Sequence, residues 1–322
     1  MSSINMRASI AMALRVKLQS DSSPKRVLLL GLGYTALALL PHLQKRGYDV
    51  WATTRDLEAQ DSFQTFGIKP LFFNKKIDET FKRCLRKTDI LLSSVPPKNG
   101  NDPFLSVVRQ NAKDLAPMLS WVGYLSATSV YGDRGDQWVF EDEPLYPVNK
   151  RGVHRIEVEL AWLETGWPVH IFRLAGLYGP SLVHPKGRVL NRHPFEKLKN
   201  GTARAVIKPG HVVNRIHIYD VVSALLCSID RPDPTQVYNI ADGNPAPPQD
   251  VLNYAADLMD YPHPPDVTVN DPGLSDMMRS FYKETKRIDI SRARRTLNWS
   301  PEFKNYQQGL QHIYETYGQK RE

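Results

Sequence analysis

The stretch Arg26-Val27-Leu28-Leu29-Leu30-Gly31-Leu32-Gly33-Tyr34-Thr35-Ala36 decides how the chain is read. Arg26–Leu30 is a short apolar run of strand length, and Gly31 ends it. From Tyr34 to Arg46 the apolar residues keep one broad face, as an amphipathic helix does, and Gly47 stands where a left-handed cap would close it. Strand, glycine turn and helix are the context in which a G-x-G-x-x-A string has physical meaning. Gly31 permits the tight turn, Gly33 lets the backbone approach a pyrophosphate, and Ala36 allows the helix to pack close on the strand. The amides opening the helix at Tyr34 and Thr35 then face the phosphates with the positive end of the helix dipole.

Working outward, strand-like runs at Asp49–Thr53, Ile68–Phe73, Asp89–Ser94, Trp121–Ser126 and Val169–Leu174 alternate with helical stretches at Ile77–Lys87, Phe104–Leu119 and Arg151–Glu164. Strands separated by helices of this length are joined by parallel crossovers, which predicts an α/β, doubly wound parallel sheet. After Leu174 the rhythm breaks. A helix is expected at Val189–Asn200, then Tyr219–Ser228 (helix) and Gln236–Ile240 (strand) resume the first pattern, and a proline-rich segment follows around a helix at Pro248–Met259. The expected organisation is a Rossmann domain of residues 24–180 plus 218–242 and a smaller, interleaved C-terminal substrate domain of residues 181–217 plus 243–322.

The chain has 322 residues with 42 Lys plus Arg against 34 Asp plus Glu, so its mild net charge of +8 matters less than where the charge lies. Between Pro180 and Ile216 stand eight basic residues and one acid, Glu196, which points to an anionic small-molecule substrate. Little aromatic interleaving accompanies these charges, so nucleic acid ranks low as a partner. No apolar run reaches the ~18–20 residues that a bilayer crossing needs, and Cys84 and Cys227 make no metal-ligand spacing. Residues 1–23 hold basic residues and serines with no acid before Asp21, as a disordered tail or an organelle transit peptide does. The expected location is accordingly cytoplasmic, or an organelle matrix or stroma.

The end of the second strand selects the dinucleotide. An acid there holds the ribose 2′-hydroxyl of NAD. This chain reads Thr53-Thr54-Arg55-Asp56, hydroxyls followed by a guanidinium suited to phosphate, which favours NADP. Asp56 keeps NAD open.

Longer motifs extend the pattern: Ser126-Ala127-Thr128-Ser129-Val130-Tyr131-Gly132, Arg173-Leu174-Ala175-Gly176-Leu177-Tyr178-Gly179-Pro180, Arg215-Ile216-His217-Ile218-Tyr219-Asp220 and Leu297-Asn298-Trp299-Ser300-Pro301. Together they resemble the extended short-chain dehydrogenase/reductase family of epimerases and dehydratases. The resemblance implies a cofactor set of Gly31, Gly33, Tyr34, Thr35, Thr54, Arg55, Ser94 and Val95. It implies substrate contacts at Tyr131, Tyr178 and Arg215, and a homodimer through the helices read at Phe104–Leu119 and Arg151–Glu164.

The catalytic positions depart from the family. Anchoring on Tyr131 puts Ala127 where the family has Ser or Thr, flanked by Ser126 and Thr128. Anchoring on Pro147 puts Arg151 on the family's tyrosine and Arg155 on its lysine, with Gly152 and Glu159 in their expected places. Arginine stays protonated and cannot relay a proton. The positional catalytic set is therefore Ser126, Thr128, Arg151 and Arg155, without the usual relay, and His154, His217, Tyr131 and Tyr178 are the other titratable candidates. Tyr146 and Lys150 have the family's spacing, but Pro147 drives Tyr146 toward extended geometry ahead of the helix. Two functions fit: an NADP-preferring oxidoreductase or epimerase with a non-standard site, or an inactive dinucleotide-binding scaffold or sensor.

Overall fold

The computed structural model describes residues 24–109 and 112–318. The tail or targeting segment expected over 1–23 lies outside the described residues.

The chain opens with β1 (Arg26–Leu30), α1 (Tyr34–Lys45), β2 (Asp49–Thr54), α2 (Gln60–Thr65), β3 (Lys69–Phe72), α3 (Glu79–Arg86) and β4 (Ile90–Ser93). It continues through α4 (Leu105–Val108), α5 (Ala112–Leu115), β5 (Trp121–Ala127), β6 (Trp138–Val139), α6 (Lys150–Leu163) and β7 (Val169–Leu174). Next come β8 (Gly176–Val183), β9 (Val189–Arg192), α7 (Phe195–Lys199), β10 (Ala205–Val206), β11 (Arg215–His217), α8 (Ile218–Asp230) and β12 (Val237–Ile240). The last elements are α9 (Pro248–Met259), β13 (Asp266–Val267), α10 (Asp276–Phe281), β14 (Arg287–Ile288), α11 (Ser291–Leu297) and α12 (Tyr306–Gly318).

Seven strands form one sheet in the order β12-β7-β5-β4-β1-β2-β3, and every pairing is parallel. The doubly wound α/β expectation holds. The order reverses between β1 and β4, and a crevice opens at their carboxyl ends, where such sheets bind ligands. Alternate side chains of β1 serve opposite faces. Val27 and Leu29 join a core with α1 and α8, while Leu28 and Leu30 join one with α3, α4 and α6. On the second face Trp162 is fully buried, and its Nε1 donates to Asp102 Oδ2 at 3.1 Å. The other oxygen of Asp102 accepts from the amides of Phe104 and Leu105. One carboxylate thus starts α4 and fixes α6 against it, and truncating Trp162 to alanine would cost roughly 3–5 kcal/mol.

A third apolar cluster, including Tyr178, Phe195, Ala255, Leu310 and Ile313, joins β8, α7, α9 and α12 into the smaller C-terminal unit. The boundary expected at 180/181 falls inside β8, which pairs with β11 on one side and β9 on the other. The junction is therefore a continuous strand rather than a linker.

Two helix expectations fail. Phe104–Leu119 is not helical to its end: the described helical turns are Leu105–Val108 and Ala112–Leu115, residues 116–119 are not helical, and Pro117 stops the second turn because it disfavours helical geometry in the residue before it. Val189–Asn200 is split into a strand and a short helix at His193-Pro194. Pro194 has no amide to continue a helix from upstream, and Val189 pairs instead with Val183. None of the described helices is long and apolar enough to cross a membrane.

Candidate functional site

Two cavities follow one another along the carboxyl edge of the sheet. The first, about 640 Å³, lies over the ends of β1, β2 and β4 and is lined by Gly31, Gly33, Thr54, Arg55, Ser94 and Val95, six of the eight expected cofactor residues. The backbone makes this cradle. Gly31 has φ +80, and a Cβ there would meet Val95 Cγ2 at 3.0 Å. Its amide donates to Thr53 Oγ1 at 2.8 Å, and Ser94 Oγ donates to its carbonyl at 3.1 Å, so the turn is tied to both neighbouring strands. Gly33 caps α1 with no side chain closing the helix, and no acid stands in the first turn. Free amides, the positive dipole end and a floor without side chains fit a pyrophosphate.

The remaining two cofactor residues sit differently. Tyr34 and Thr35 are buried and do not line the cavity; the Tyr34 hydroxyl donates to Pro180 O at 2.6 Å, tying α1 to β8. What they can offer a phosphate is their backbone amides. Thr54 is also mostly buried, and its hydroxyl accepts from the Asp56 amide.

At the end over β2 and β3 the cavity is basic. Arg55, Lys75, Lys186 and Arg188 line it, the last two from the loop between β8 and β9. Lys186 Nζ lies 2.7 Å from Asp56 Oδ2 and holds that carboxyl below its usual range.

The second cavity, about 430 Å³, opens at the ends of β5 and β7 and is lined by Thr128, Arg151, Arg155, Asn214, Glu284 and Lys286, with Phe281 beside them. The structure thus brings Thr128, Arg151 and Arg155 to the lining of one cavity. α6 begins at Lys150 with Asn149 as its cap, so Tyr146 stands outside the helix. Gly152 is required here: a Cβ would lie 2.6 Å from both Pro147 Cβ and Ser129 O. Arg151 Nη2 donates to Ser280 Oγ at 2.7 Å, and Arg155 Nη1 donates to Leu125 O at 3.2 Å.

Ser126 does not join them. It is buried and its hydroxyl donates to Glu159 Oε1, beneath the cavity. Tyr131 is a second correction. It has no exposed surface; its hydroxyl donates to Asn239 Oδ1 at 2.7 Å and accepts from Arg173, and burial pushes the phenol up to about 12. Tyr178 lies in the C-terminal cluster, with its hydroxyl 3.4 Å from Asn305 O and its pKa raised by burial. The Arg215 guanidinium is turned onto the carbonyls of Val213 and Ala246 at 2.9 and 3.0 Å. These three expected substrate contacts line neither cavity, because each is consumed in fixing strand ends.

His217 caps α8 and packs against Phe303, and burial pushes it down to about 3. His154 lies beside Gly100 rather than in either cavity.

Sequence reading missed Glu284 and Lys286. Their side chains are 12% and 7% exposed, with Lys286 Nζ 3.1 Å from Glu284 Oε2. A Glu-x-Lys spacing leading into a strand puts both on one side, and that was the available signal. In a chain with 42 lysines and arginines it does not stand out.

The model of the NAD dependent epimerase/dehydratase family matches residues 106–241. Protein YeeZ of Escherichia coli (strain K12) is 30% identical over 234 residues, which cover 69% of this chain and 80% of that protein. A functionally unknown conserved protein from Silicibacter pomeroyi DSS is similar at 38% identity and TM-score 0.82, over 91% of this chain and 99% of that one. dTDP-glucose 4,6-dehydratase from Bacillus anthracis str. Ames, solved in complex with NAD, has TM-score 0.71 at 17% identity over 92% and 97% of the two chains, a likeness of fold.

Proposed function

Since the chain belongs to the NAD-dependent epimerase/dehydratase family, we propose that it is an NADP-preferring oxidoreductase or epimerase acting on a small anionic, phosphate-bearing substrate through a non-standard site. The observation that carries the cofactor choice is the state of Asp56. Its carboxylate is already paired with Lys186, while Arg55, Lys75 and Arg188 stand around the same end of the cavity. An acid so engaged is a poor partner for a ribose diol, and three further cations suit a 2′-phosphate.

Gly31, Gly33 and the opening of α1 hold the pyrophosphate, with Ser94 and Val95 lining the same cavity. When bound, the dinucleotide supplies reversible hydride exchange with a substrate carbon. Arg151 and Arg155 give that cavity two fixed positive charges, which suit a substrate phosphate and cannot move a proton. Thr128 offers a hydroxyl to a substrate oxygen.

Fluorescence titration of the full-length protein with NADPH and NADH tests the cofactor. About tenfold tighter binding of NADPH, ~1.4 kcal/mol, is expected, and equal affinity for the two rejects the preference. The reaction is tested by NADPH oxidation with keto and aldehyde sugars that carry phosphate. A second reading, a binding scaffold without turnover, is favoured by the commitment of Arg151 and Arg155 to Ser280 and Leu125. NADPH binding with no oxidation across that series selects it.

A further inference from the structure

The second cavity contains a lysine that neither arginine chemistry nor packing accounts for. Lys286 is almost wholly buried and reaches the same space as Thr128, Arg151 and Arg155. Its backbone is clamped. Asn214 Nδ2 donates to the Lys286 carbonyl at 2.9 Å, and Asn214 Oδ1 accepts from Ile288 at 2.9 Å. Just upstream the Thr285 hydroxyl donates to Val212 O at 3.1 Å, and just downstream Arg287 enters the short pairing with β6. A flexible side chain is thus presented from a rigid base, as a group that must meet a substrate atom requires.

We propose that Lys286, poised by Glu284, is the proton donor and acceptor of this cavity, in place of the tyrosine–lysine pair that the chain lacks. The assignment rests on the oxidoreductase reading above. A bound reduced dinucleotide would supply the hydride to the substrate carbonyl carbon. As the C=O π electrons move to oxygen, that oxygen would take one proton from the Lys286 ammonium. The amine is then left neutral and regains its proton from solvent. In the reverse direction the neutral amine would remove the hydroxyl proton, with a bound oxidised dinucleotide as the acceptor of the hydride that leaves carbon.

Lysine can do what Arg151 and Arg155 cannot, because burial brings an ammonium into a range where it loses its proton. Desolvation lowers the pKa of Lys286, Glu284 and Asp133 oppose that, and Arg134 adds to it. His211 also faces it, and Arg151 and Arg155 share the cavity. Glu284 therefore favours the charged, proton-donating form.

Competitive labelling of the full-length protein with 2,4,6-trinitrobenzenesulfonate across the alkaline range, located by mass spectrometry, reads the titration of Lys286 directly. Half-reaction is expected at a lower pH than that of the exposed Lys45 in the same digest, and E284Q should lower it further. Half-reaction coinciding with Lys45 overturns the assignment. So does an absence of labelling throughout, since a sealed amine cannot exchange protons with a substrate. In the NADPH-oxidation assay, K286M should lower kcat by about 10²-fold, keep KM within about twofold, and abolish the fall in rate at high pH. An unchanged pH profile overturns the proposal as well. K286M should bind NADPH as the unaltered protein does. If the unaltered protein binds neither dinucleotide, the cofactor reading fails, and the labelling result still reports Lys286 by itself.

Discussion

Arg151 and Ser280 lie 129 residues apart and meet at 2.7 Å, Nη2 donating to Oγ, while the same guanidinium covers the Phe281 ring at 5.2 Å. Arg151 therefore fastens α10 beside the second cavity. Two contacts of this kind, one a hydrogen bond from a charged donor, are worth on the order of 1 kcal/mol at an exposed place. Arg151→Ala should raise amide hydrogen exchange in residues 276–281 by about tenfold and leave NADPH affinity unaltered. Unchanged exchange in that segment would show that the guanidinium fastens nothing.

Arg55 stands at the basic end of the first cavity alone. It is exposed and lines the first cavity beside Lys75, Lys186 and Arg188. Arg55→Ala should weaken NADPH by about tenfold and NADH by less than about twofold, because a charge-assisted contact to phosphate is worth ~1.5–3 kcal/mol and NADH has no 2′-phosphate to lose it. Equal weakening, measured by fluorescence titration, would remove Arg55 from the 2′ position.

Much of this was legible in the residues. The sheet could be read because β1 carries its alternation into two cores and because Gly31 stands at positive φ, constraints that are local in sequence. The first cavity followed, since its floor is backbone. The second was only half legible. Arg151 and Arg155 share a helix and could be placed by counting from Pro147, but Glu284 and Lys286 arrive from a segment more than a hundred residues on, through a clamp centred on Asn214. Tyr131, Tyr178 and Arg215 misled for a related reason. Sequence position put them at strand ends, and nothing in the string shows whether a strand-end side chain turns outward to a ligand or inward to a carbonyl.

Beneath the second cavity, the Arg173 guanidinium grips Glu159, Nη2 to Oε2 at 2.8 Å, with both side chains almost wholly buried. Ser126 donates to the same carboxylate, and Arg173 also donates to Tyr131 and to Glu141 O at 2.9 and 3.0 Å. Glu159→Leu leaves a buried guanidinium without its counter-ion and should cost roughly 3–5 kcal/mol. In urea titrations the Glu159→Leu/Arg173→Met pair should be less destabilised than the sum of the single variants by about 2 kcal/mol. Simple additivity would mean that the two side chains act independently.

Asp242, just past β12, predicts a pH dependence of stability. It is 4% exposed, its Oδ1 accepts from the Asn244 amide at 2.9 Å, and its Oδ2 is buried with no hydrogen-bond partner among the described residues. Burial raises its pKa from 3.8 to about 7, against the pull of Arg215. Between those two values the folded chain holds a proton that the unfolded chain has lost. This contribution is therefore complete below pH 3.8 and is lost as pH rises through about 7. Asp220, raised to about 6, acts in the same direction. His211 and His217, pushed down to about 4 and about 3, act oppositely, and their contributions disappear as pH falls below the usual histidine range. The overall profile is a sum of opposing slopes, so the informative quantity is the difference between two proteins that share those histidines. Asp242→Asn keeps an oxygen for the Asn244 amide and removes the titration. Relative to the unaltered protein it should gain stability progressively from mildly acidic to neutral pH, by a few kcal/mol at most, read as urea midpoints at the two ends of that range. A pH-independent difference between the two would mean that the Asp242 carboxyl titrates alike in the folded and unfolded chains.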